Sequence, residues 1–84
     1  MDEIIPGKLY LGDIKDALDD NLGQHIDRAI AVCTEYQCAH KCADSWNVPF
    51  FDGEVVDNKT IHRVVKLIHE GIEAGQRVLI HCAA

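Results

Sequence analysis

The stretch from Asp57 to Cys82, "DNKTIHRVVKLIHEGIEAGQRVLIHC", does most to limit the folds open to this chain. Ile61, Val64, Val65, Ile68 and Ile72 recur at the three-and-four spacing of one helix face, while Lys59, Arg63, Lys66, Glu70 and Glu73 mark the solvated side. Asp57 or Asn58 stands where an N-terminal cap is wanted, and Gly75 where the helix should stop. Immediately behind it, "RVLIHC" is a short apolar run with the pattern of a strand covered on both faces. A long helix feeding directly into such a strand is half of a crossover, the connection that joins parallel neighbours.

The upstream segments supply those neighbours. "RAIAVCTE" has no polar side between Ala29 and Cys33 and reads as a second buried strand. "SWNVPFFD" reads as a strand whose Pro49 suits an edge or a strand end. In "EIIPGKLYLG", two apolar segments flank Pro6-Gly7, a dipeptide favouring a type II turn, so a hairpin or a bent edge strand is expected. In "DIKDALDDNL", Ile14, Ala17, Leu18 and Leu22 have helical spacing, with Asp13 as the cap and Gly23 as the C-terminal stop. The order implies a single α/β domain over residues 1–84, a largely parallel central sheet with flanking helices. Two helices barely cover the two faces of such a sheet, so the fold looks short of C-terminal helices.

The formal charge is -6, and the eight Lys and Arg are scattered, which disfavours a nucleic-acid backbone as partner. The start, Met1-Asp2-Glu3, lacks a cationic lead into an apolar stretch, and no run has the length of a membrane span. A cytoplasmic protein without membrane association is expected. In that setting Cys33, Cys38, Cys42 and Cys82 are better read as thiols, metal ligands or a nucleophile than as disulfide partners. Cys33, Cys38, His40 and Cys42 offer four possible soft-metal ligands within ten residues. Their spacing matches no common zinc pattern, so a thiol-rich loop is the simpler expectation and metal binding stays open. His25, His62 and His69 read as surface or half-buried residues, and Tyr10 and Trp46 as core or rim packing; Tyr36 is a loop residue that could rim a site.

Cys82 stands at the carboxyl end of a strand, where functional groups collect in open α/β sheets. Taken alone, the His81-Cys82 pair is more simply explained by a small buried hydrophobe and a satisfied edge histidine. Taken with the rest of the chain, "IIPGKLYLGDIKDAL", "AIAVCTE", "VPFFD" and "RVLIHCAA" resemble, in order and spacing, the first part of the dual-specificity phosphatases of the cysteine-based tyrosine phosphatase superfamily. Ile4, Pro6, Leu9 to Gly12, Asp52 and Val78 to Cys82 carry the resemblance.

The resemblance implies a protein phosphatase acting on phosphotyrosine or phosphoserine/threonine. Cys82 would be the nucleophile that forms a cysteinyl-phosphate, and His81 would orient the loop and tune the thiol. Asp52 would be the general acid and then the base; as Asp52-Gly53 it is also a strong turn signal, and the two readings are compatible. Asp57 competes for the acid's role, but its position favours a cap. Ala83 and Ala84 would fill the first two positions of a loop that in the family continues with Gly and Arg. Neither that Arg, a bidentate phosphate donor, nor the helices that follow it in the family are within these 84 residues. The expectation is therefore a partial domain, inactive and marginally stable alone, with no cofactor or metal required. The alternative is a non-catalytic phosphatase-like module that binds a partner through the uncovered sheet face.

Overall fold

The computed structural model of the chain describes residues 1–32, 38–49 and 58–82. Strands β1 (Asp2–Ile5) and β2 (Leu9–Gly12) form the expected antiparallel hairpin. Gly7, at φ 70°, takes the left-handed position of its turn, closed by the Lys8 N–H donating to the Ile5 carbonyl at 2.9 Å. Three further strands, β3 (Arg28–Ala31), β4 (Asp44–Asn47) and β5 (Val78–His81), complete a five-stranded sheet of order β1-β2-β5-β3-β4. Every pairing except the hairpin is parallel, and β5 lies between β2 and β3 with Gly12 and Ala31 flanking His81. β4 takes an outer position and ends at Asn47, two residues before Pro49, so the proline stands past the strand end and not within the strand.

Strand alternation divides the core in two. On one face, Ile30 and Val78 pack with Val64 and Leu67 of helix α2 (Asn58–Glu73), with Trp46, Ile68 and Ile80 around them. On the other, Ala29 and Leu79 pack with Leu22 and Ile26 from the β2–β3 connection. Arg28 ties β3 to its surroundings: Nε donates to Asp44 at 2.7 Å, Nη1 donates to the Leu67 carbonyl at 2.7 Å, and the guanidinium lies 5.6 Å from the Trp46 ring centre.

Two helices differ from the expectation. The first, α1, runs only Ile14–Ala17, held by a reciprocal cap between Asp13 and Asp16, and Leu18 is left 57% exposed. The Asp19 carboxylate accepts the Asn21 N–H at 2.9 Å, a local bond that competes with helical continuation. Leu22 reaches the core from a 3-10 turn, Leu22–Gln24, instead. Gly23 is therefore no helix stop. Its N–H donates to the Lys41 carbonyl at 2.8 Å, and a Cβ there would lie 2.9 Å from that oxygen.

Helix α2 ends before Gly75, at φ 77°, as expected, but it is rotated from the predicted stripe. Val64, Leu67 and Gly71 are buried, whereas Ile61 and Val65 are 43% and 57% exposed. Gly71 explains the rotation, because a Cβ there would sit 2.7 Å from Val78 Cγ2. The missing side chain lets the helix approach β5 along that line. The caps proposed at Asp57 and Asn58 are outside the described residues and at the first helical position, respectively.

At the amino end of β5, Arg77 grips Asp27 through its backbone N–H at 2.8 Å, Nε at 3.0 Å and Nη2 at 3.1 Å. These bonds from Arg77 hold the Asp27 carboxyl below its ordinary value of 3.8. The unfolded chain then takes up this proton at a higher pH than the folded one. The stabilisation is complete above the ordinary carboxylate pKa and is lost as pH falls through the folded Asp27 value. Asp27→Asn is expected to lower the melting temperature at neutral pH and to make its acid decline shallower, which thermal melts between about pH 7 and pH 2 would measure.

Candidate active site

Cys82 follows β5 directly and is exposed at the carboxyl end of the central parallel strand. The His81 carbonyl accepts the Val32 N–H at 2.9 Å, so β3 holds the strand up to its last residue. The His81 side chain points to the face opposite α2 and is fully buried, at 0% exposure. It is not an edge residue, because β5 is paired on both sides, by β2 and β3.

A buried imidazole needs partners for both nitrogens. His81 Nδ1 lies 3.1 Å from the Cys82 carbonyl, which can only accept, so Nδ1 carries the hydrogen. Its Nε2 faces His40 Nε2 at 2.7 Å, the rings meeting edge-on at an interplanar angle of 80°. His40 Nδ1 in turn lies 2.5 Å from the Ser45 hydroxyl. The neutral arrangement that satisfies every atom runs from the Ser45 O–H to His40 Nδ1, from His40 Nε2–H to His81 Nε2, and from His81 Nδ1–H to the Cys82 carbonyl. Burial, and then the proximity of His81, push the His40 pKa down to about 4, consistent with an uncharged ring.

Asn47 pins the segment that carries His40. Its Oδ1 accepts the Cys38 N–H at 2.8 Å and its Nδ2 donates to the Cys38 carbonyl at 3.0 Å. Ser45 and Asn47 both project from β4 to the face that holds His81. Their period-2 spacing was a visible signal that this edge strand turns a polar side inward. The His40–His81 contact had none, since the residues are forty-one positions apart.

The predicted cluster of Cys33, Cys38, His40 and Cys42 is not what the described residues assemble. Cys38 and His40 meet His81, while Cys42 packs with the Leu22 and Ile26 cluster and donates its S–H to the Asp44 carbonyl at 3.6 Å. Burial pushes the Cys42 thiol pKa up. Asp52, Asp57, Ala83, Ala84, Cys33 and Tyr36 lie outside the described residues. His25, His62 and His69 are exposed, and Tyr10 and Trp46 pack against the two cores, as expected. A concavity of about 370 Å³ lined by Tyr10, His25, Ile26 and Arg77 opens at the amino end of β5, away from Cys82. Among the described residues no helix is long and apolar enough to cross a membrane.

The chain's fold resembles that of a protein tyrosine phosphatase. The crystal structure of Tk-PTP, in a mutant form, superimposes with a TM-score of 0.71 over 98% of this chain, at 17% sequence identity. The match takes in 60% of that neighbour's length. No family model and no curated protein sequence matches the chain.

Asn47→Ala would leave the Cys38 N–H and carbonyl without these partners. It is expected to cost about 1–3 kcal/mol, read from urea unfolding, because partly buried backbone groups lose their bonds.

Proposed function

We propose that this chain carries the nucleophile of a cysteine-dependent protein phosphatase of the dual-specificity or tyrosine type. The observation that supports the reading best is the placement of Cys82: exposed at the exit of the central parallel strand of a tyrosine phosphatase-like sheet. The Cys82 thiolate attacks phosphorus while the ester P–O bond breaks, and Asp52 gives its proton to the leaving tyrosyl, seryl or threonyl oxygen. Asp52, now a carboxylate, takes a proton from water as that water attacks the cysteinyl-phosphate, releasing phosphate and the thiolate. His81 acts through the backbone: its Nδ1–H on the Cys82 carbonyl orients the start of the phosphate loop, which Ala83 and Ala84 continue. Nucleophile, acid and anion donors all come from protein groups, so the mechanism calls for no metal or cofactor. In the family pattern the phosphate donors of the loop are a Gly and an Arg, and the activity is proposed for a protein that carries them.

Phosphate release from a small aryl phosphate tests this, with residues 1–84 and with whatever coding sequence follows codon 84 in frame. The longer protein is expected to turn over and residues 1–84 alone to be inactive. Cys82→Ser should abolish turnover, and Asp52→Asn should slow it by about 10²–10⁴-fold. Turnover that survives Cys82→Ser would rule the mechanism out.

A second reading, a non-catalytic module that associates through its sheet, is favoured by one observation. On the α2 side, Leu11, Ile61 and Val65 are 47%, 43% and 57% exposed, so one helix leaves part of that face bare. Val65→Glu is expected to reduce self-association of residues 1–84 in sedimentation, with little change in the unfolding free energy.

A further inference from the structure

We propose that Cys38, His40 and His81 form a binding site for a zinc-class divalent cation, on the sheet face opposite α2. All three residues are buried, and their ligand atoms, Sγ and two imidazole nitrogens, lie within 4.8 Å of one another. They come from two separate parts of the fold: Cys38 and His40 precede β4, and His81 ends β5. A nitrogen–nitrogen–thiolate set is the donor chemistry that borderline-soft Zn²⁺ selects.

The orientation of the rings supports the site more specifically than the composition does. A histidine that binds metal through one nitrogen nearly always has the other held by an oxygen. Here His81 Nδ1 is held by the Cys82 carbonyl at 3.1 Å and His40 Nδ1 by the Ser45 hydroxyl at 2.5 Å. Both Nε2 atoms are thereby turned toward each other, 2.7 Å apart. Tetrahedral coordination at about 2.0–2.1 Å would set them about 3.3 Å apart, so the rings need to separate by only about half an ångström.

The protons also balance. For His40 Nε2 to bind a cation, its hydrogen must move to Nδ1 and be donated to Ser45 Oγ, whose own hydrogen then needs a new acceptor. The structure supplies one, the Cys38 carbonyl, 3.4 Å from Ser45 Oγ. The Cys38 thiol proton leaves to solvent, and the fourth tetrahedral position falls to a water or small anion. An occupied site would cross-link the segment ahead of β4 to the residue just before Cys82. It does not depend on the phosphatase reading, because no ligand is a reacting group.

The test titrates metal-free protein with Zn²⁺ alone by calorimetry and with Co²⁺ alone by absorption. One equivalent is expected, with the visible bands of tetrahedral Co²⁺ and a thiolate-to-cobalt charge-transfer band. Cys38→Ser should remove the charge-transfer band, and Ser45→Ala should weaken Zn²⁺ binding by about 10–100-fold. Cys82→Ser and Cys42→Ser should leave both band and affinity unchanged, which separates this site from metal captured by the exposed thiol. In the unsubstituted protein, ¹⁵N spectra should show the Nε2 resonances of both His40 and His81 moving on Zn²⁺ addition, a readout that does not rely on any variant folding. Absence of binding, unmoved Nε2 resonances, or a charge-transfer band lost with Cys82 or Cys42 instead of Cys38 would each overturn the proposal and leave a His–His hydrogen bond only.

Discussion

The rest of the structure depends on four residues, Val78 to His81, being hydrogen-bonded in parallel on both sides. A strand in that position has no free edge and no exposed face, so each of its side chains must find cover. Alternation sends Val78 and Ile80 toward α2 and Leu79 and His81 to the opposite side. Val78 and Leu79 are fully covered by packing and Ile80 partly so. The fourth cannot be, because a buried imidazole left unpaired costs about as much as the bonds it forgoes. The chain from Ser45 through His40 to the Cys82 carbonyl meets that requirement.

This requirement connects packing to chemistry. The bond that satisfies His81 Nδ1 is also the bond that holds the carbonyl of Cys82, the residue that follows the strand. The bond that satisfies Nε2 brings in His40, whose segment is clamped by Asn47. A single buried ring therefore couples an edge strand, a connecting segment and the exit of the central strand. The same two Nε2 atoms serve either a shared hydrogen or a cation, and the face opposite α2 is where the two alternatives compete.

The α2 face shows a different compromise. Gly71 lets the helix descend onto Val78, and Arg28 holds it there through the Leu67 carbonyl. Close approach along one line turns Ile61 and Val65 outward, and the sheet beyond that line, at Leu11, stays open. The apolar residues counted in the periodic stretch are thus divided between a core and a surface.

Much of the fold was legible in the residues themselves. The Pro6-Gly7 turn, the buried runs at Ala29 to Ala31 and Val78 to Ile80, and the Gly75 stop are local signals. Local backbone preferences and strand burial suffice to produce the elements that follow from them. The position of Cys82 at a strand end was legible for the same reason. The short first helix was not, because the Asp19 side chain competes with helix bonds by an amount that spacing does not reveal. Nor was the rotation of α2, which depends on a contact between Gly71 and a strand seven residues further on. The partner of His81 was least legible of all. Which ring, hydroxyl or thiol meets a buried nitrogen is decided only when the segment ahead of β4 is folded against the end of β5, forty-one positions away, since short-range polar contacts depend on tertiary position and periodicity records none of it.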